Sequence, residues 1–258
     1  IAVVWDAITD PIIGHMSDNL RSKYGRRRSF MIGSMIPYGV IMFLMFNNVN
    51  MPETSKNIYY IVISILFWTA YTAYVIPYFA LGAEITNDFD ERTGLRVWAS
   101  YFMYAAVMIA SAAPPMIVSI SERAGMSTIQ GWRNVGIMFG ILTVIVIFVC
   151  WRATKGTELV LAPEASAKRE NIFKSYIAMF KLKPVLPLMI SVLLWSLVSS
   201  MQSGGLVYLM TNNLNYSAER QSGVMVFLSV MAMVWLPVIR KLAEKFDKKR
   251  VYVYSMAF

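Results

Sequence analysis

Charge is scarce in this chain of 258 residues: 15% are charged, against roughly 25% in soluble domains, while 57% are hydrophobic. Cysteine and histidine are scarcer still, one each, Cys150 and His15. One cysteine excludes an internal disulfide. Two isolated residues of these types also offer neither a metal-ligand cluster nor a nucleophile beside its base. Strict apolar–polar alternation is missing as well, which excludes barrel strands. What is present instead is a series of apolar runs, each near the ~20 residues a helix needs to cross a bilayer. The composition is that of an all-α polytopic membrane protein.

The apolar runs fall near residues 1–20, 30–47, 58–83, 97–120, 134–152, 185–211 and 222–240, and another begins at 251. Seven complete spans are therefore expected. The chain opens on Ile1 within an apolar run and closes on Val251–Phe258, the start of another, so both ends are read as lying inside a longer protein. Twenty of the 24 Lys and Arg residues fall in the connectors after spans one, three, five and seven. Lys56, Arg123, Arg133 and Arg220 are the four that fall elsewhere. By the positive-inside rule the basic connectors are cytoplasmic. The net charge of +9 then belongs to membrane loops, and no nucleic-acid partner is expected. The connector 153–184 is long, polar and mixed in charge, the mark of a linker between two bundles. The back half also echoes the front. Pro11 and Pro237 each precede a polar turn and a triple-basic cluster, Arg26–Arg28 and Lys248–Arg250, as in transporters built from internal repeats.

Within the first span stand two acids, Asp6 and Asp10, at i and i+4 on one helical face. Counted from the boundary at Arg21, Asp10 lies ~16 Å and Asp6 ~22 Å into the membrane. A carboxylate at that depth costs roughly 3 kcal/mol on insertion scales. No lysine or arginine lies at similar depth, so a bound monovalent cation or a shared proton is expected. The alternative is a structural pair partnered by helices outside this chain. Pro11 frees the carbonyl of Ala7 beside the acids, and Thr9 adds a hydroxyl that points partly away from their face.

Gly14, Asp18 and then Gly25, Arg26, Arg27 and Arg28 follow. This spacing resembles the loop signature of the major facilitator superfamily, which implies a gate at the cytoplasmic side. A solvated basic loop is compatible with the same residues. In the third span Trp68, Tyr71, Thr72, Tyr74 and Tyr78 give one side a polar-aromatic character suited to sugar rings. Pro77 is expected to loosen that helix. Glu84, Asp88, Asp90, Glu91 and Arg92 close it, with pairing to the basic loops expected.

WDAITDPIIG, the basic loop and IPYFALGAEITNDFDERT together resemble the glycoside–pentoside–hexuronide:cation symporters, the melibiose permease-like family. The resemblance implies twelve helices in two six-helix bundles. Residues 1–152 would be helices II–VI, 153–184 the cytoplasmic interdomain loop, and 185–258 helices VII to the start of IX. It also implies that Asp6, Asp10, Thr72 and Thr9 hold the coupling ion, Na+ or H+ with Li+ admitted, and that no other cofactor is needed. Asn commonly stands at the position of Thr9. Val75, Phe79 and Ser100 stand where melibiose permease has an acid, a tryptophan and an arginine for its sugar, so the charged sugar clamp is not kept.

The substrate-binding candidates are Trp68, Tyr71, Tyr78, Phe79, Ser100, Gln202 and Tyr208, with Ser203 beside them. The function expected is cation-coupled symport of a sugar, glycoside or related small solute, by a monomer in the lipid of a bacterial inner membrane. The alternatives are a non-transporting sensor or structural subunit and, from another class, a membrane enzyme using the two acids.

Overall fold

A backbone that passes through hydrocarbon must satisfy its own hydrogen bonds, and the helix does so within one segment. The computed structural model describes residues 2–20, 22–86, 88–157 and 185–246. Seven α-helices are found there: α1 (Ala2–Asn19), α2 (Arg28–Met45), α3 (Glu53–Glu84), α4 (Phe89–Arg123), α5 (Thr128–Ala153), α6 (Val185–Tyr208) and α7 (Ala218–Lys245). A π-helical turn, Leu209–Asn213, extends α6. The basic residue Arg21, the linker beyond Thr157, the cluster Lys248–Arg250 and the run from 251 lie outside the described residues.

Six of these helices, α2 to α7, are long and apolar enough to cross a membrane. The expected first span, α1, is not among them. Its 18 residues carry Asp6, Asp10, His15 and Asp18, which lower the hydropathy below that of its neighbours. Both α3 and α4 run well past the apolar cores expected at 58–83 and 97–120, to 32 and 35 residues. Prolines 11, 37, 77, 114, 115 and 237 all sit inside helices. Helix α1 continues through Pro11 and α3 through Pro77, so the prolines free carbonyls without breaking either segment.

The chain divides into two units. In the first, α2 packs against α3 and α5, α1 against α3, and α4 against α5. The α2–α5 contact is close because glycines meet there. A Cβ added to Gly39 would lie 2.9 Å from the Gly140 carbonyl oxygen, and one added to Gly140 only 2.7 Å from that of Gly39. Gly136 and Gly140 form a Gly-x-x-x-Gly pair on α5, the small-residue spacing by which membrane helices approach. Helix α5 begins on a capping box in which the Ser127 hydroxyl and the Gln130 side chain each accept from the other's backbone amide. In the second unit, α6 ends against buried Met210, whose carbonyl accepts from the Tyr216 amide at 2.8 Å.

Gly140→Val is expected to destabilise the protein by about 1–3 kcal/mol, the usual cost of overpacking. Thermal unfolding in detergent should show a lower midpoint for it. Gly33→Ala, whose Cβ meets nothing within 4 Å, should leave the midpoint in place.

Candidate functional site

Two hydrogen bonds tie α1 to α3. The Thr72 hydroxyl donates to Oδ1 of Asp6 at 2.8 Å. The Trp5 indole Nε1 donates to the Thr69 hydroxyl at 2.8 Å. Trp5 and Asp6 are neighbours on α1, and Thr69 and Thr72 lie three apart on α3, so the two bonds form adjacent rungs. Thr72 is fully buried. Its single proton goes to Asp6, and its lone pairs remain as acceptors. Asp10 approaches the same hydroxyl and also faces the charge of Asp6. Tyr71 stands near enough to interact with both carboxylates.

Among the described residues, then, Asp6, Asp10 and Thr72 are brought together. Thr9 is buried beside them, yet its hydroxyl donates to the carbonyls of Trp5 and Asp6 at 3.1 and 3.3 Å. Its proton is spent within α1. The residues missed by the sequence reading are Trp5 and Thr69. The tryptophan of WDAITDP was visible, but its partner on α3 was not, because no spacing rule connects positions 64 apart.

Below this site the basic loop joins three helix ends. Gly25 takes φ +99°, a conformation that glycine adopts at little cost, and turns the chain into α2. Arg27 reaches Asp18 of α1 at 2.8 Å and Glu84 of α3 at 2.8 Å. Arg26 reaches the same Glu84 at 2.9 Å. Arg28 donates to the Trp151 carbonyl at 2.6 Å and stacks over the Trp151 ring, 4.9 Å from its centroid. That carbonyl is among the last four of α5, which lack helical partners and carry the negative end of its dipole. Gly14 lies at ordinary contact distance from Ile76 of α3 for any added Cβ. Glu84 thus pairs with the basic loop as expected. The Thr86 hydroxyl donates to the Glu91 carboxylate and Arg92 donates to the Thr86 carbonyl, both local contacts. Asp88 accepts from the Glu91 amide, and the Asp90 side chain lies outside the described residues.

The aromatic candidates separate into two groups along α3. Trp68 and Tyr71 meet edge to face at 5.5 Å, with Tyr38 of α2 against Tyr71 at 6.3 Å. Nearer the C-terminal end of α3, Tyr74 stacks on Tyr78 at 5.6 Å and Tyr78 touches Phe79 at 5.5 Å. The Ser100 hydroxyl donates to the Arg96 carbonyl at 2.9 Å. Gln202, Ser203 and Tyr208 lie on α6 in the second unit, exposed.

A family model described as MFS/sugar transport protein matches residues 1–258. An uncharacterized symporter of Synechocystis is 32% identical over 178 residues, 63% of this chain and 31% of that protein. An uncharacterized symporter of Bacillus subtilis, YjmB, is 26% identical over 257 residues, 97% of this chain and 53% of its own. An isoprimeverose transporter of Lactiplantibacillus pentosus is 24% identical over 156 residues, covering 60% of this chain and 32% of its own. The matched stretches thus span about a third to about half the length of these curated relatives.

Arg27→Gln removes the group that joins Asp18 to Glu84 and should loosen the ends of α1 and α3 at the basic loop. Ser17, 1% exposed beside Asp18, supplies the readout. A cysteine placed there should react with N-ethylmaleimide several-fold faster when Arg27→Gln is added.

Proposed function

The chain belongs to the MFS/sugar transport protein family, and from that premise we propose that it forms part of a cation-coupled secondary transporter. The observation that carries this reading is the Asp6–Asp10 pair with Thr72 donating to Asp6. Two carboxylates on an apolar helix carry up to two negative charges, and the described residues bring them a hydroxyl donor but no ion pair. A monovalent cation held by Asp6, Asp10 and a lone pair of Thr72 would neutralise part of that charge. Na+ and H+ both suit the donor set, since carboxylate and hydroxyl oxygens are hard ligands. Thr9, with its proton committed to backbone carbonyls, offers one further lone pair.

Coupling follows from linkage. If cation binding changes the Asp6–Thr72 and Trp5–Thr69 rungs, it changes how α1 sits on α3, and solute affinity shifts by the same free energy that the solute returns to the cation. Tyr71 interacts with both carboxylates and meets the Trp68 ring edge to face. It is therefore the side chain through which a bound ion would be felt by a solute. The residues 1–152 and 185–258 would belong to two bundles joined by 153–184, rocking about a central site. The Asp18, Glu84 and Arg26–Arg28 contacts would hold the cytoplasmic side closed in one state and part in the other. The cargo is a sugar, glycoside or related small solute, the setting a bacterial inner membrane with the basic loops cytoplasmic, and the working unit a monomer.

In proteoliposomes, Asp6→Asn and Asp10→Asn should each abolish solute uptake driven by a sodium or proton gradient. Thr72→Val should raise the half-saturating cation concentration about tenfold, as expected on losing a hydrogen bond to a charged group. Gradient-driven accumulation at the wild-type level in both Asn variants would sink the proposal.

A further inference from the structure

Between α3, the start of α4 and the end of α5 lies a cavity of about 270 Å³. Its wall is apolar and aromatic except at Arg96, Tyr78, Cys150 and Thr154, and no carboxylate lines it. Arg96 makes no ion pair among the described residues. Arg96 is exposed and a guanidinium stays protonated under all ordinary conditions, so the cavity offers a fixed positive charge that an anion can reach. Arg96 lies over the Phe79 ring, 5.4 Å from its centroid. Stacking of that kind uses the flat face of the guanidinium. The N–H groups in its plane stay available for an oxyanion, which they can grip in bidentate fashion. Tyr78 interacts with the same charge and brings a phenol hydroxyl to the cavity. Val75, four residues from Phe79 on α3, carries no charge that would repel an anion.

The remaining wall specifies the other end of the ligand. Trp98 and Phe102 both line the cavity and stand four apart on α4, 63% and 73% exposed. They continue it as an aromatic strip along the helix. The volume falls just below the ~300–1,000 Å³ usual for sites that enclose a whole small molecule. It takes a headgroup and the beginning of an apolar body, and the strip takes the rest. We propose that Arg96 and Tyr78, with the aromatic wall of Phe79, Trp98 and Phe102, form a binding site for an anionic amphiphile. One phosphate or carboxylate sits on the Arg96 guanidinium, and an alkyl or other apolar body runs along the wall. The site stands on its own geometry and does not require the coupling reading.

The test is equilibrium binding of radiolabelled decyl phosphate to the purified protein in a neutral maltoside detergent, with decanol and inorganic phosphate as comparison probes. Decyl phosphate should bind saturably, and decanol and inorganic phosphate should not. Arg96→Gln should weaken binding at least tenfold, Arg96→Lys less, and Trp98→Ala several-fold, at unchanged melting temperature. Equal binding by wild type and Arg96→Gln, or by decyl phosphate and decanol, overturns the site. The source of the ligand is then read in proteoliposomes of phosphatidylcholine. Gradient-driven entry of decyl phosphate that Arg96→Gln blocks identifies a cargo. Binding without entry, displaced by phosphatidylglycerol, identifies an inner-leaflet lipid.

Discussion

A carboxylate on an apolar helix has to be served by something, and here the service crosses between helices. Asp6 receives its proton donor from Thr72, 66 residues away on α3. That bond fixes the face that α1 turns to its neighbour, and so also places Asp10 and sets Trp5 against Thr69. The cost of burying charge is what makes the contact specific: a charged group poorly paired in hydrocarbon costs several kcal/mol, while apolar packing alone would tolerate rotation of α1. The same two acids, with His15 and Asp18, keep α1 below the hydropathy of its neighbours.

The helix ends around the basic loop obey a different balance. Individual surface ion pairs contribute little. Arg27, however, is largely covered and serves Asp18 and Glu84 together, so the three groups act as one connection rather than as separate bridges. Arg28 adds a contact of another kind, to the Trp151 carbonyl and ring at the end of α5. One short loop thereby touches α1, α3 and α5. Glycine contacts between α2 and α5 hold the remaining side at close range. The front unit therefore has a tightly packed edge and an electrostatically latched edge. Polar partners can be exchanged for water as the latched edge parts, whereas interlocked backbones have no such substitute, and any motion is expected at the latched edge.

Much of this was legible in the residues. Helical class, the number of apolar runs, the basic loops and the importance of Asp6 and Asp10 all follow from local pattern and from the cost of charge in hydrocarbon. Asp18 and Arg26–Arg28 were singled out as well, and Glu84, expected to pair with the loop, does so. Some boundaries were not: α3 and α4 extend beyond their apolar cores, because helices continue into water wherever polar residues permit. Thr72 was marked on the polar-aromatic side of its span, but its link to the acids entered only through family resemblance. Thr9 looked like a ligand by position, but its proton turned out to be used within its own helix.

What the sequence determined by itself was therefore what each segment must do: form a helix, cross or border a membrane, and keep two acids supplied with a partner. These are one-dimensional consequences of hydropathy, spacing and charge. The tertiary structure decided which partners were chosen. Thr69 for Trp5, Trp151 for Arg28 and the aromatic cavity around Arg96 join positions from different helices. Their meeting depends on helix rotation and packing distance, and no local spacing encodes these. The apolar majority of the chain is interchangeable in its demand for lipid or neighbour, so it leaves many packings open. The few polar contacts, each costly to leave unmade, select among them.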